Sequence, residues 1–228
     1  MKKQLPFPQN TAAYLSSLSK NNNKEWFEKH RHRYNDEFIQ PAVQFVIDLG
    51  EKLSTISPDV NYIPKIDKSI FRLYRDIRFS KNKSPFKTNL GLYFWEGTGK
   101  KMECSGYYFH LEPKYYFLGA GMYEFTKDHI KVFRDKVADI NNGKELNDII
   151  KKILKNKNYK LGGKTFKRIP KGYDPEYKYS DLLLHSGLYI YYENNNLSEL
   201  ISNDPAEYCF KIFKDLRPLH KWLVENVK

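Results

Sequence analysis

Leu90-Gly91-Leu92-Tyr93-Phe94-Trp95, Gly106-Tyr107-Tyr108-Phe109-His110-Leu111 and Tyr115-Tyr116-Phe117-Leu118 are three short, ring-rich runs close together in the chain. Gly97-Thr98-Gly99 punctuates the first gap and Glu112-Pro113-Lys114 fills the second. Aromatic side chains pack well on a pleated surface, while Gly and Pro break regular structure. The pattern therefore predicts an antiparallel sheet of consecutive hairpins. Downstream, Leu188-Tyr189-Ile190-Tyr191-Tyr192 predicts a further strand.

The period changes on either side. Ala13, Tyr14, Leu15 and Leu18 suit one face of a helix capped at Asn10-Thr11, and Asn23 is placed to cap a second carrying Trp26, Phe27, His30 and Tyr34. Pro41 sits where a first-turn proline is tolerated, ahead of Val43, Phe45, Val46, Leu49 and Leu53. After the aromatic runs, Ile130, Phe133 and Val137 restore a helical spacing, as do Leu146, Ile149, Ile150 and Ile153. A loop-rich basic stretch leads to Ile169-Pro170-Lys171-Gly172-Tyr173, and a last helix starts at Asp204-Pro205, with Pro218 as its expected point of interruption. Helices gathered before and after a run of strands predict an α+β fold: one domain over residues 1–228, its sheet packed against N-terminal and C-terminal helices.

Composition narrows the class. Aromatics make up 16% of the 228 residues, enough bulk to fill a core although apolar residues reach only 40%. No apolar run approaches the roughly 20 residues that a membrane span needs, and mean hydropathy is -0.71. Met1-Lys2-Lys3-Gln4-Leu5-Pro6 has no apolar stretch behind its lysines, so no secretory leader is read. Two cysteines, Cys104 and Cys209, are too few for a disulfide framework. A cytosolic protein is expected.

No cofactor follows from the motifs. Gly162-Gly163-Lys164-Thr165 ends like a phosphate loop, but Asn158 stands where the first glycine is required. Gly119-Ala120-Gly121 opens like a dinucleotide fingerprint, but Glu124 replaces the third glycine, so it is read as a tight turn after a strand. His30 and His32 point to different sides of a helix, and His110, His129, His185 and His220 show no ligand spacing, so no metal is assigned. No Ser or Cys nucleophile motif is present either.

The net charge of +12 is local. Residues 65–87 carry +6 and residues 144–171 carry +8, which leaves the rest of the chain at -2. The second window begins as an ordinary amphipathic helix with a solvated lysine face. The first holds Arg72, Arg75 and Arg78 within seven residues, in a chain with 31 Lys and only 8 Arg. A guanidinium offers a planar fork that grips phosphate or carboxylate in two places, which an ammonium does not. In a helical turn the three would share one side, and in a strand Arg75 would face away. Ser84-Pro85 favours an extended or turning backbone that brings Lys83 and Lys87 near. Asp76 is either their clamp or a carboxylate with a catalytic task.

The pattern Arg72-x-x-Arg75-Asp76-x-Arg78-Phe79-Ser80-x-x-Lys83-x-Pro85-x-Lys87 resembles the signature of the domain-of-unknown-function family numbered 2461, a family of conserved hypothetical proteins. Asn22-Asn23-Lys24-Glu25-Trp26-Phe27, Tyr107-Tyr108-Phe109-His110-Leu111, Gly119-Ala120-Gly121-Met122-Tyr123 and Lys167-Arg168-Ile169-Pro170-Lys171-Gly172-Tyr173 are similar as well, in the same order. The resemblance implies a single-domain bacterial protein and carries no catalytic residues with it.

Three functional readings follow. In the first, Arg72, Arg75, Arg78, Lys83 and Lys87 line a site for an anionic small molecule, a phosphate or a carboxylate. An enzyme on a phosphorylated substrate would then use His110 or Asp76 as acid or base. In the second, the basic windows and the aromatics between them bind nucleic acid. In the third, the chain is a protein-interaction module. Against all three stands a structural reading, in which the arginines pair with Asp76 or Glu112 and His110 is a satisfied core residue.

Overall fold

The structure, a computed structural model, describes residues 7–227; the N-terminal residues read for a secretory leader lie outside it. The chain opens on α1 (Gln9–Lys20) and α2 (Lys24–Lys29). Asn23 caps α2 as read, accepting the Trp26 N–H. Asn10 and Thr11 do not cap α1, which starts from Pro8 without a side-chain cap. They lie buried in its first turn, where the Thr11 hydroxyl donates to the Glu37 carbonyl at 2.7 Å.

That contact explains the next segment. α3 (Arg31–Arg33), a π-helical turn (Tyr34–Ile39) and α4 (Gln40–Ser54) run on without a break. Pro41 has no N–H for the carbonyl four residues back, which belongs to Glu37. The helix widens to the π register just before the proline, and the Glu37 carbonyl accepts the Thr11 hydroxyl.

The strands are β1 (Val60–Asn61), β2 (Leu90–Glu96), β3 (Gly106–Glu112), β4 (Tyr115–Met122), β5 (Tyr159–Lys164) and β6 (His185–Asn194). They form one antiparallel sheet in the order β1-β2-β3-β4-β6-β5. β2, β3 and β4 are neighbours in chain order, as the aromatic runs and their turns predict. α5 (Lys127–Ala138) and α6 (Ile140–Ile153) precede β5, and α7 (Ser198–Ser202) and α8 (Pro205–Asn226) close the chain. The fold is α+β. Pro218 lies inside α8 without ending it.

Two expectations are corrected. Gly119-Ala120-Gly121 is no turn but the interior of β4. A Cβ on Gly121, at φ +132°, would stand 2.2 Å from the Leu188 carbonyl oxygen, so the neighbouring backbone occupies the space of a side chain. Gly162-Gly163 lies in β5, within a stretch read as loop, because glycine argues against a strand. Here the Tyr189 ring fills the space above Gly162, and the pairing with β6 shifts between Gly162 and Lys164.

The described residues form two compact units. In the first, which takes in the chain up to Phe94 with Tyr108–Leu118 and Glu193–Lys211, Phe45 of α4 packs on Phe109 of β3 with ring centroids 4.9 Å apart. In the second, made of Trp95–Tyr107, Gly119–Tyr192 and the chain from Ile212 onward, Phe213 of α8 packs on Tyr107 at 5.3 Å, and Trp222 meets Phe133 edge-on. Along β3 the pleat is sharply two-sided. Tyr107, Phe109 and Leu111 are buried, while Tyr108, His110 and Glu112 on the opposite face stay partly open. That open face carries the candidate site.

Candidate functional site

The arginine segment adopts neither of the regular forms weighed from its spacing. It is an irregular loop pinched at its neck by an isolated bridge between Tyr74 and Phe86. The Arg75 N–H donates to the Pro85 carbonyl, and the Lys87 N–H to that of Leu73. Asn22 clips the neck from outside: its amide donates to the Phe86 carbonyl at 3.0 Å and accepts the Phe86 N–H at 3.1 Å. The Phe27 ring stacks on Phe86 at 4.4 Å. The Asn22–Phe27 stretch and the arginine segment, quoted together for their resemblance to one family, are thus two halves of one contact.

Three of the five cations bond within the loop itself. Arg75 belongs to the loop's own scaffold, donating to the Ser84 carbonyl at 3.1 Å and to the Ser80 hydroxyl at 3.2 Å. Arg78 forms a two-pronged pair with Asp76, which also accepts the Arg78 backbone N–H. These bonds, with Arg72 nearby, hold the Asp76 carboxyl below the usual carboxylate range. Asp76 is therefore a clamp for Arg78. Lys83 donates to the Ile77 carbonyl near the loop tip. Beside them Phe79 is 96% exposed, with the Arg78 guanidinium 5.8 Å from its ring.

Arg72 and Lys87 are left at the base of the loop, beside the sheet. Lys87 is half-buried and its ammonium lies 5.7 Å from the centre of the Phe71 ring. Burial and the charge of Arg72 push the Lys87 ammonium below its ordinary range, and Asp67 opposes them. Phe71 meets Tyr108 edge-on at 6.0 Å, and the face of β3 begins there.

Tyr108, His110 and Glu112 are alternate residues of one strand, so the pleat puts them in a row. The Tyr108 hydroxyl lies 3.1 Å from His110 Nδ1, and His110 Nε2 lies 3.0 Å from Glu112 Oε1. Asn89 Nδ2 approaches the same Nδ1 at 3.4 Å. An amide nitrogen only donates, so Nδ1 accepts and the ring proton sits on Nε2, directed at the Glu112 carboxylate. Gly91 lies beneath: a Cβ there would be 2.9 Å from the Tyr108 oxygen. The His110 side chain keeps 19% of its surface open, so the row is sheltered yet reachable. The sequence marked His110 but not its partners. Their signal was the period of two itself, a tyrosine and a glutamate flanking a histidine on an amphipathic strand.

The sequence also missed a second hydroxyl–imidazole–carboxylate row. Ser105 Oγ lies 2.9 Å from His220 Nδ1, and His220 Nε2 lies 2.9 Å from Glu96 Oε2. Glu96 and Ser105 meet through the strand pairing, while His220 comes from α8, a separation no local motif can span. Ser105 is 3% exposed and His220 not at all, so the hydroxyl and the imidazole of this row are closed to a substrate, and it braces helix to strand.

Residues 10–222 match a family of conserved hypothetical proteins, DUF2461. The chain belongs to the DUF2461 family. It matches no curated protein and no solved structure. Among the described residues of this DUF2461 protein, no helix is long and apolar enough to cross a membrane, and no group of three or more His, Cys, Asp or Glu is placed to hold a metal ion.

Proposed function

We propose that this DUF2461 protein binds a small anionic molecule, a carboxylate or a phosphate, between Lys87 and Arg72 on the open sheet face of its first unit. The observation that carries this reading is the half-buried Lys87 ammonium, destabilised by burial and by Arg72. The Lys87 ammonium beside the Phe71 ring is repelled by the charge of Arg72 unless an anion offsets it, and Asp67 offers only part of that charge. Phe71 supplies a flat apolar floor for the ligand's body. Of the five cations expected to line the site, these two are its binding pair, while Arg75, Arg78 and Lys83 are engaged within the loop.

Thermal denaturation in rising concentrations of inorganic phosphate and of benzoate tests the reading. Both anions are expected to raise the Tm of the wild type. Lys87→Met and Arg72→Gln should abolish that rise, and Arg78→Gln and Lys83→Gln should keep it. Equal loss in all four variants would mean general charge screening and sink the proposal.

A second reading rests on Phe79, nearly fully exposed next to the Arg78 guanidinium on a basic loop tip. Such a ring can stack a base of single-stranded nucleic acid while cations hold phosphates. Titration with a single-stranded oligonucleotide at two salt concentrations, with Phe79→Ala as the control, separates this from the anion site. Affinity that ignores both salt and Phe79 removes it.

A further inference from the structure

We infer that Tyr108 is the reacting side chain of an acid–base site, with His110 as its proton acceptor and Glu112 as the anchor of His110. The inference rests on the anion reading for the place of the substrate, though not for the chemistry of the row. Hydrogen bonding fixes the direction of proton movement. His110 presents the Nδ1 lone pair to the Tyr108 O–H, the shorter of that lone pair's two contacts, the other being Asn89, and its Nε2–H already faces a carboxylate. When the phenolic O–H breaks, its proton crosses to Nδ1 within an O···N separation of 3.1 Å, and the imidazolium so formed lies between phenolate and Glu112. Each charge created has a partner in place.

The surroundings favour this step over a purely structural role. Phe71 and Phe117 both lie edge-on to Tyr108 at 6.0 Å, and Tyr93 is 6.4 Å away. Apolar walls strengthen charge interactions inside them. Gly91 lets the Tyr108 hydroxyl and the Phe71 ring settle against the strand, where a Cβ would stand 2.9 Å from the one and 3.3 Å from the other. The Ser105–His220–Glu96 row has the same order of groups, but its hydroxyl and imidazole are sealed, whereas the Tyr108 row faces the open side of the strand. Lys87 and Tyr108 both meet the Phe71 ring, the ammonium 5.7 Å from its centre and the phenol ring edge-on at 6.0 Å. The substrate class is thus a small carboxylate or phosphate ester with an acidic proton about one ring's width from its anionic group. Tyr108 phenolate takes that proton, and His110 returns its own to the product or to solvent.

Sulfonyl fluorides read the row without knowledge of the substrate. Tyr108 oxygen attacks sulfur, the S–F bond breaks, fluoride leaves, and the phenolic proton passes to His110 Nδ1 and on to water. The folded full-length chain is treated with phenylmethanesulfonyl fluoride, which is neutral, and in parallel with 4-(fluorosulfonyl)benzoate. Labelling is then mapped by mass spectrometry. Tyr123, 70% exposed, is the internal reference for a tyrosine without such a base. The neutral reagent should label Tyr108 at least about tenfold faster than Tyr123, at the low end of general-base assistance. His110→Gln should erase the advantage, and Glu112→Gln should reduce it while the Tyr123 rate holds steady.

An unlabelled Tyr108, or a Tyr108 rate unchanged in His110→Gln, overturns the inference. Should His110→Gln disturb the fold, the Tyr123 rate reports it, and Glu112→Gln, which leaves Tyr108 and His110 intact, decides instead. The carboxylate reagent tests the anion reading separately. It should outpace the neutral one at Tyr108, and Lys87→Met should cancel only that difference. A His110-dependent rate with no preference for the carboxylate would end the anion reading and leave the acid–base row standing.

Discussion

Arg75→Ala distinguishes a scaffold arginine from a binding one. The Arg75 guanidinium donates at 3.1 Å to the Ser84 carbonyl and at 3.2 Å to the Ser80 hydroxyl, both long bonds in a half-exposed setting. At about 1 kcal/mol each, their loss costs roughly 2 kcal/mol. The backbone bonds at the neck, the Asn22 clip and the Phe27–Phe86 stack do not depend on the side chain. The cost therefore falls on local opening of residues 77–84, and the rest of the fold keeps its support. Two kcal/mol is a factor of about 30 in an opening equilibrium. Hydrogen exchange followed by mass spectrometry should show peptides over 77–84 exchanging about 30-fold faster in the variant, with peptides from α2 unchanged. Stabilisation by phosphate should persist. If loop exchange stays at the wild-type rate and phosphate stabilisation vanishes, Arg75 is a ligand-binding group and the division of the five cations is wrong.

Asn22→Ala leaves the N–H and carbonyl of Phe86, a residue 1% exposed, without their side-chain partner, a loss of about 1–3 kcal/mol that chemical denaturation should detect. Asn22→Asp, which keeps the acceptor, should fall between; equal stability of all three would disprove the clip. Burial holds the His185 imidazole below its usual range, so the unfolded chain takes up its proton first, near pH 6.5. Stability should then decline as pH falls through that value and level off once the folded state is protonated. His185→Asn, able to keep a donor toward the Leu182 carbonyl, should lack this part of the acid limb, and parallel pH profiles for the two proteins would refute it. Gly121→Ala puts a Cβ 2.2 Å from the Leu188 carbonyl oxygen at φ +132°, and should cost more than about 3 kcal/mol. Gly172→Ala, at φ +96° with nothing within 4 Å, should cost only about 1–3 kcal/mol of backbone strain, so a larger loss at Gly172 than at Gly121 would contradict the reasoning.

How much of this was legible beforehand depends on the range of the interaction concerned. The aromatic runs announced β2, β3 and β4 because a strand buried on one face writes its period into adjacent residues, and Asn23 announced α2 because a cap acts over three residues. β5 stayed hidden since its glycines answer to Tyr189 and to the backbone of Gly187, partners more than twenty residues downstream. The π turn escaped for a similar reason: it lies just before Pro41, but the Glu37 carbonyl within it accepts the hydroxyl of Thr11, which is in another helix.

The candidate site shows the same division more finely. Clustering drew attention to Arg72, Arg75 and Arg78, yet proximity in sequence says nothing about direction. A loop that must close on itself takes the arginine nearest its neck, and an aspartate two residues from Arg78 takes that one. Arg72, whose charge also reaches Asp76, is the cation whose field acts on Lys87. His110 alone reads as a satisfied core histidine, and satisfied it is, by Tyr108 on one nitrogen and Glu112 on the other. Satisfaction and catalysis need not compete. The two hydrogen bonds that complete the ring also set its tautomer, leaving the lone pair on the side of a hydroxyl.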